Sequence, residues 1–139
     1  GYSVGAIHGG KSQDQREESL RGFKQGEYDI LVATDVAGRG IDVKGIDLVV
    51  NYEMPLIIGN YTHRIGRTGR AGRQGTAVSF LTSEDTDVMY ELKELLTNSG
   101  NHVPGELANH QAAKVKPMRD AKGNKMTRDQ YMGMQDIIH

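Results

Sequence analysis

Residues 4–34 read VGAIHGGKSQDQREESLRGFKQGEYDILVAT, and the order of patterns inside this stretch decides the fold class. It opens on one short apolar run, Val4 to His8, and closes on another, Asp29 to Thr34, both of strand length and rich in Val and Ile. Between them Ser12 and Gln15 stand at capping-box spacing: the Ser hydroxyl accepts from the third helical N–H and the Gln amide oxygen accepts from the cap N–H. Leu20 and Phe23 then supply an apolar face, so Ser12 to Gln25 is predicted to be a helix. Strand, helix and strand in that order are the unit of a parallel sheet.

The pattern continues downstream. Leu48 to Tyr52 and Thr76 to Leu81 are further strand candidates. Ile57 to Arg67, after Pro55, and Ser83 to Leu96, with Val88, Leu92, Leu95 and Leu96 at helical spacing, are helix candidates. The expected fold class is α/β, a parallel sheet with helices on both faces. From about Gly100 the apolar residues thin out and Lys114, Lys116, Arg119, Lys122, Lys125 and Arg128 accumulate. Residues 1–99 are therefore expected to form the domain and 100–139 a C-terminal extension, loosely structured or helical, with Met126 to Ile138 able to form one short helix.

Bulk composition excludes several classes. A net charge of -1 offers no global attraction for nucleic acid, so any such binding must come from a local arrangement of Arg, Lys and backbone N–H groups. The absence of cysteine removes disulfides, thiolate catalysis and zinc–thiolate sites, and fits a reducing compartment. No apolar run approaches the roughly 20 residues of a membrane span, and no signal segment opens the chain. A soluble intracellular protein with no membrane partner is expected. Opening at Gly1, amid apparent structure, is expected of a piece of a longer chain.

Two clusters carry chemistry. Val32 to Asp42, VATDVAGRGID, places a strand end and two glycines beside Arg39 and Asp42. Ligands of open α/β sheets bind beyond the carboxyl ends of strands, where glycine lets backbone N–H groups approach a phosphate or a sugar. An ordinary strand-to-helix turn would also use Gly38 and Gly40. His63 to Arg70, HRIGRTGR, spaces arginines three apart with glycines between them. Gly66 and Gly69 would each cost a solvated helix about 1 kcal/mol relative to Ala, so close approach of a partner explains them better than a basic surface loop does. Guanidinium forks match phosphate oxygens bidentately and stay charged.

VATDVAGRGID resembles motif V, and HRIGRTGR motif VI, of the DEAD-box RNA helicases; Gln13 to Arg16, QDQR, is similar to that family's Q-x-x-R element. The three stand in family order over residues 1–98. The resemblance implies a second, C-terminal RecA-like domain lacking its own first strand and helix. It implies that Gly9, Gly10, Gln13, Arg16 and Thr34 face the RNA backbone, and that Gly40 and Asp42 approach ATP. Arg67 and Arg70 would act as arginine fingers on the γ-phosphate. Arg39, His63 and Arg64 would couple this domain to its N-terminal RecA-like partner. Magnesium would accompany ATP, held mainly by that other domain. This chain itself is expected to hold no metal, and alone to be inactive. Pro104 to His110, PGELANH, is similar to a stretch in spliceosomal members of the family, which implies a nuclear role in splicing and spliceosomal protein partners.

Two rival readings stand beside this one. Gly5 to Ser12, GAIHGGKS, satisfies G-x-x-x-x-G-K-[ST] and would make the chain a self-sufficient P-loop NTPase. The chain could also be a non-catalytic RNA- or protein-binding module.

Overall fold

Strand β1 (Val4–Ile7) and strand β2 (Ile30–Ala33) pair in parallel, Val4 opposite Ile30 and Ile7 opposite Ala33, each ending one residue inside its predicted range. Helix α1 (Gln13–Lys24) returns the chain between them. Its capping box is formed as the spacing predicts: Gln15 N donates to Ser12 Oγ (3.2 Å) and Ser12 N donates to Gln15 Oε1 (3.0 Å). The computed structural model describes residues 1–35, 41–69, 72 and 74–138, the last four of these by backbone alone.

The chain divides into two units, one of Gly1–Val49 with Arg64–Ala77, the other of Val50–His63 with Val78–His139. In the first, Ile7, Ile41 and Val43 form the core, with Leu20, Phe23, Leu31 and Ile46 packed around it. Tyr28 closes one side of the unit: a Cβ on Gly5 would lie 2.8 Å from its ring and one on Gly22 2.5 Å from it. The two glycines are the slot for that ring. Parallel register places Val4, Ile30 and Val32 on the sheet face away from Ile7, and all three are exposed. Helix α1 turns its apolar side, Leu20 and Phe23, to the Ile7 face.

Strand β3 (Leu48–Asn51) pairs with β4 (Thr76–Ser79). Thr76 N–H donates to the Asp47 carbonyl and Phe80 N–H to the Asn51 carbonyl, an equal advance on both chains that makes this ladder parallel too. Helix α2 (Ile58–Ile65) stops short of the predicted Arg67: Arg67 and Thr68 donate to the carbonyls three residues back, a tight last turn, and Gly66 follows the helix. Helix α3 (Thr86–Asn98) starts three residues later than predicted, because Asp85 Oδ2 accepts from Thr82 N (2.7 Å) and Thr82 Oγ1 (3.0 Å) and holds Thr82 to Asp85 in a turn.

In the second unit α3 buries Val88, Met89 and Leu92. Two short helices that periodicity did not predict, α4 (Gly105–Asn109) and α5 (Gln111–Lys114), pack on it and bury Leu107 and Ala113. A hairpin follows, with Arg119 opposite Lys125 in an antiparallel bridge. Helix α6 (Arg128–Ile138) ends the chain. It begins at a second capping box, Thr127 and Gln130, bonded at 3.2 and 2.9 Å in the same two ways as Ser12 and Gln15.

Candidate functional site

The first cluster gathers where β1 and β2 end. Thr34 N–H donates to the Ile7 carbonyl (3.3 Å), so the exit of β2 lies against the turn that leaves β1. Gly9 and Gly10 make that turn, both exposed, and Gly10 N donates to His8 Nδ1 (3.1 Å). Gln13 opens α1 and donates to Glu17 Oε1 (3.3 Å). Arg16, one turn along, lies back over the turn with Nη2 3.4 Å from the Gly9 carbonyl. Its Nε is enclosed and has no partner among the described residues. A buried, unsatisfied guanidinium donor costs about 1–3 kcal/mol or more, which an anion seated on the glycine turn would recover. The expected contacts Gly9, Gly10, Arg16 and Thr34 are thus brought together, with Gln13 at the same end of α1.

The second cluster is built from the end of α2 and the loop after it. Arg64 meets Asp35 as a bidentate pair, Nε to Oδ1 at 2.6 Å and Nη2 to Oδ2 at 2.8 Å, with side chains about 27% and 33% exposed. Arg67 Nη1 donates to the Ile41 carbonyl (2.6 Å). Ile41 and Val43 turn into the core, and Asp42 between them is left facing outward. A cleft of about 370 Å³ opens here, lined by Val43, Gly45, Asp47, Arg67, Gly69 and Gln74. Thr68 Oγ1 donates to the Ile46 carbonyl (2.5 Å), and Ile46 and Thr68 form a parallel bridge. The loop is pinned further at Gly75, where a Cβ would lie 2.1 Å from Thr68 Oγ1 and 2.3 Å from Gly69 N.

Arg39, Gly40 and Arg70, expected in coupling, nucleotide and finger roles, lie outside the described residues. His63 stands exposed on α2, in the second unit. Thr68 and Gly75 hold the loop together without having been predicted, and Asp35, which the P-loop reading would make a magnesium ligand at the end of the Asp29–Asp35 strand, is instead paired with Arg64. The only signal for that pairing was a carboxylate in VATDV in a chain whose other cluster is cationic; Gly75 carried no signal, since its requirement comes from a loop six residues away. Among the described residues no three His, Cys, Asp or Glu side chains group as metal ligands, and no helix is long and apolar enough to cross a membrane.

The P-loop reading fails on geometry. Gly5, its first glycine, sits inside β1 opposite Leu31 and beneath Tyr28, leaving only the Gly9–Gly10 turn where a phosphate cradle would need the whole loop.

Residues 1–72 match the family described as helicase conserved C-terminal domain. The chain is 59% identical over 117 residues to DEAD-box ATP-dependent RNA helicase 21 of Oryza sativa subsp. japonica, covering 84% of this chain and 16% of that protein. It is 52% identical over 137 residues to the pre-mRNA-splicing ATP-dependent RNA helicase prp28 of Aspergillus clavatus, covering 98% of this chain and 17% of that one. The chain thus spans about a sixth of the length of these relatives. Among solved structures, the RNA helicase Prp28 of Chaetomium thermophilum bound to ADP superposes with a TM-score of 0.70 at 55% identity, over 78% of this chain and 27% of that one. The yeast DEAD-box splicing factor Prp28 superposes with a TM-score of 0.72 at 38% identity, over 86% and 27%. With its paired parallel strands, its glycine turn and its arginine loop, the chain belongs to the helicase conserved C-terminal domain family, as a RecA-like domain of the DEAD-box kind.

Proposed function

We propose that the chain is the second domain of an ATP-dependent RNA helicase acting in pre-mRNA splicing in the nucleus, and that it supplies one half of a composite ATPase site. Residues 1–99 form that domain and 100–139 its extension. The observation that carries the reading is the adjacency of Thr34 and Asp35. Thr34 is bonded to the Ile7 carbonyl beside the glycine turn over which Arg16 lies, a surface suited to a sugar-phosphate backbone, and Asp35 holds Arg64 bidentately at the head of the arginine loop. Two neighbouring residues on one strand end therefore join an RNA-facing cluster to an arginine-bearing one. The relatives named as RNA helicases, and the neighbour solved with ADP, support the same assignment.

Backbone contacts from Gly9, Gly10, Gln13, Arg16 and Thr34 would bind RNA with little sequence preference. Asp42 and Gly40 would approach the nucleotide. ATP, when bound, supplies a γ-phosphoryl group whose transfer to water develops charge on its oxygens. Arg67 and Arg70 would stabilise that charge, and the Ile41 carbonyl keeps the Arg67 fork oriented in advance. Magnesium would be held mainly by the N-terminal RecA-like domain. Arg64 through Asp35, with Arg39 and His63, would transmit closure between the RNA and nucleotide sides. Spliceosomal proteins are the expected partners of the whole protein.

The test is a two-domain enzyme assayed for RNA-stimulated ATP hydrolysis. Arg67→Ala should lower kcat by roughly 10³-fold or more, the scale of an arginine finger. Arg67→Lys should not restore it, since an ammonium cannot reproduce the fork. Lys11→Ala should keep most activity. Loss of hydrolysis on Lys11→Ala with normal turnover by Arg67→Ala would reverse the assignment.

A further inference from the structure

The fifteen residues from Lys114 to Arg128 hold six of the chain's seventeen Lys and Arg against one of its eighteen Asp and Glu, so a chain that is nearly neutral overall concentrates positive charge here. Met126 N donates to the Met118 carbonyl (2.6 Å) and Asp120 N to the Asn124 carbonyl (2.9 Å), folding the segment into a hairpin with Arg119 opposite Lys125. Like charges directly opposite on two strands repel. Here each finds a carboxylate on α3, the two carboxylates one helical turn apart. Arg119 Nε donates to Glu91 Oε1 (2.5 Å) and Lys125 Nζ to Asp87 Oδ1 (3.1 Å). Arg119 also donates to the Asp87 carbonyl (2.8 Å) and the Gly123 carbonyl (3.1 Å). The single acidic residue of the segment, Asp120, is turned into the hairpin's own loop, where it accepts from Lys122 N, Asn124 N and Asn124 Nδ2.

The inner pair of cations is therefore used in docking the hairpin. Lys114, Lys116, Lys122 and Arg128 remain exposed, with no ion-pair partner among the described residues. Lys116 and Arg128 stand two residues outside the Met118–Met126 pair, at the hairpin base. Lys122 stands at its tip, six residues from each and at most about 20 Å away at roughly 3.3 Å per residue.

We propose that these exposed cations, on the docked hairpin and on the helix ends that flank it, form a second contact for the phosphate backbone of single-stranded RNA, built from different residues than the Gly9–Gly10 and Arg16 cluster; it rests on the reading of the chain as an RNA helicase domain. Three of the four free cations are lysines. Lysine is depleted in the cores of protein–protein interfaces, where aromatic and arginine anchors dominate, whereas point charges on flexible stems suit an irregular row of phosphates. Binding here is electrostatic and indifferent to sequence, and the ion pairs to Asp87 and Glu91 hold the hairpin in place.

The experiment measures binding of a fluorescent twelve-nucleotide oligouridine to the 139-residue chain between 50 and 200 mM salt. Replacing all four cations (K114Q/K116Q/K122Q/R128Q) should reduce the slope of log affinity against log salt by about 2 to 3, at roughly 0.7 per phosphate contact on a single strand, and weaken binding about tenfold at 50 mM. K122Q/R128Q alone should lose about half of that slope. All four side chains are exposed, so far-UV circular dichroism and melting should match the wild type. An unchanged slope and affinity in the fourfold variant would overturn the proposal. So would tight binding of polyglutamate that the same substitutions abolish while RNA binding is untouched, which would assign these cations to an acidic protein. Q13A/R16A separates the two readings. If that variant binds RNA normally while the fourfold variant does not, the turn cluster is misassigned and the hairpin stands; the reverse pattern removes the hairpin alone; a wild-type chain with no affinity for RNA removes both.

Discussion

In the arginine loop of the first unit the backbone itself is packed, and glycine is what makes that possible. Gly75 passes so close to Thr68 and Gly69 that no Cβ fits, Gly69 is held at a φ of 68°, and Tyr28 occupies the space that side chains at Gly5 and Gly22 would take. In the C-terminal extension the glycines face open space: a Cβ at Gly105, Gly123 or Gly133 would meet nothing within 4 Å. There the chain is held by side chains reaching across long stretches of sequence, Arg119 to Glu91 and Lys125 to Asp87, over the buried Leu107 and Ala113. The difference teaches where each region tolerates change. Where the loop brings its backbone into contact with itself, at Gly75 against Gly69, it is intolerant of added atoms. A docked extension is intolerant of lost partners.

The sharpest way to break this comparison is to add one methyl group to each region. Gly75→Ala should destabilise the chain by roughly 3 kcal/mol, because the clash is with the backbone at Gly69, which cannot swing aside. Gly133→Ala, inside α6, should instead stabilise by about 0.5–1 kcal/mol, the helix propensity difference alone. Urea denaturation measures both, and equal effects at the two sites would dissolve the distinction.

The reverse experiment removes a partner. Arg119→Ala should cost about 2 kcal/mol, since the side chain is only 17% exposed and three acceptors lose it at once. A double-mutant cycle with Glu91→Ala should show coupling of more than about 0.5 kcal/mol, above the value of many surface pairs. Coupling near zero would mean that the hairpin is held by packing and not by its ion pairs.

The smallest expected effects compare like with like, because both regions use the same helix cap. Ser12→Ala and Thr127→Ala should each cost about 1 kcal/mol of helix stability. Amide hydrogen exchange should separate them. Loss of the first cap should raise exchange throughout α1, β1 and β2, which share one core; loss of the second should raise it in α6 alone. Uniform acceleration on Thr127→Ala would place α6 in the cooperative core.

The strand–helix–strand opening of this chain was legible because its signals are local. Ser12 and Gln15 bond each other within one turn, and Leu20 and Phe23 share a face by period. The order VATDVAGRGID then HRIGRTGR pointed to the family for the same reason: glycines and arginines at short spacing state their chemistry without reference to the rest of the chain. Helices α4 and α5 were not legible, being five and four residues long, too short for a period and stable only because α3 offers Leu107 and Ala113 a surface. TRDQ, at 127–130, repeats the capping signal of SQDQ, at 12–15, inside the polar composition of the extension.

By itself, then, the sequence determined the α/β class, the limits of the longer elements to within a few residues, and the residue types from which phosphate chemistry can be built. Only the tertiary structure decided that Asp35 belongs to Arg64, that the Arg67 fork is aimed by the Ile41 carbonyl, and that the Tyr28 ring fills the space beside Gly5, whose place inside a strand already spoke against a phosphate cradle. The reason is range. Caps and amphipathic faces are set by neighbours three or four residues away, whereas each of those pairings joins residues more than twenty apart, and which carboxylate or carbonyl Arg64 or Arg67 meets depends on how the first unit packs around Ile7, Ile41 and Val43.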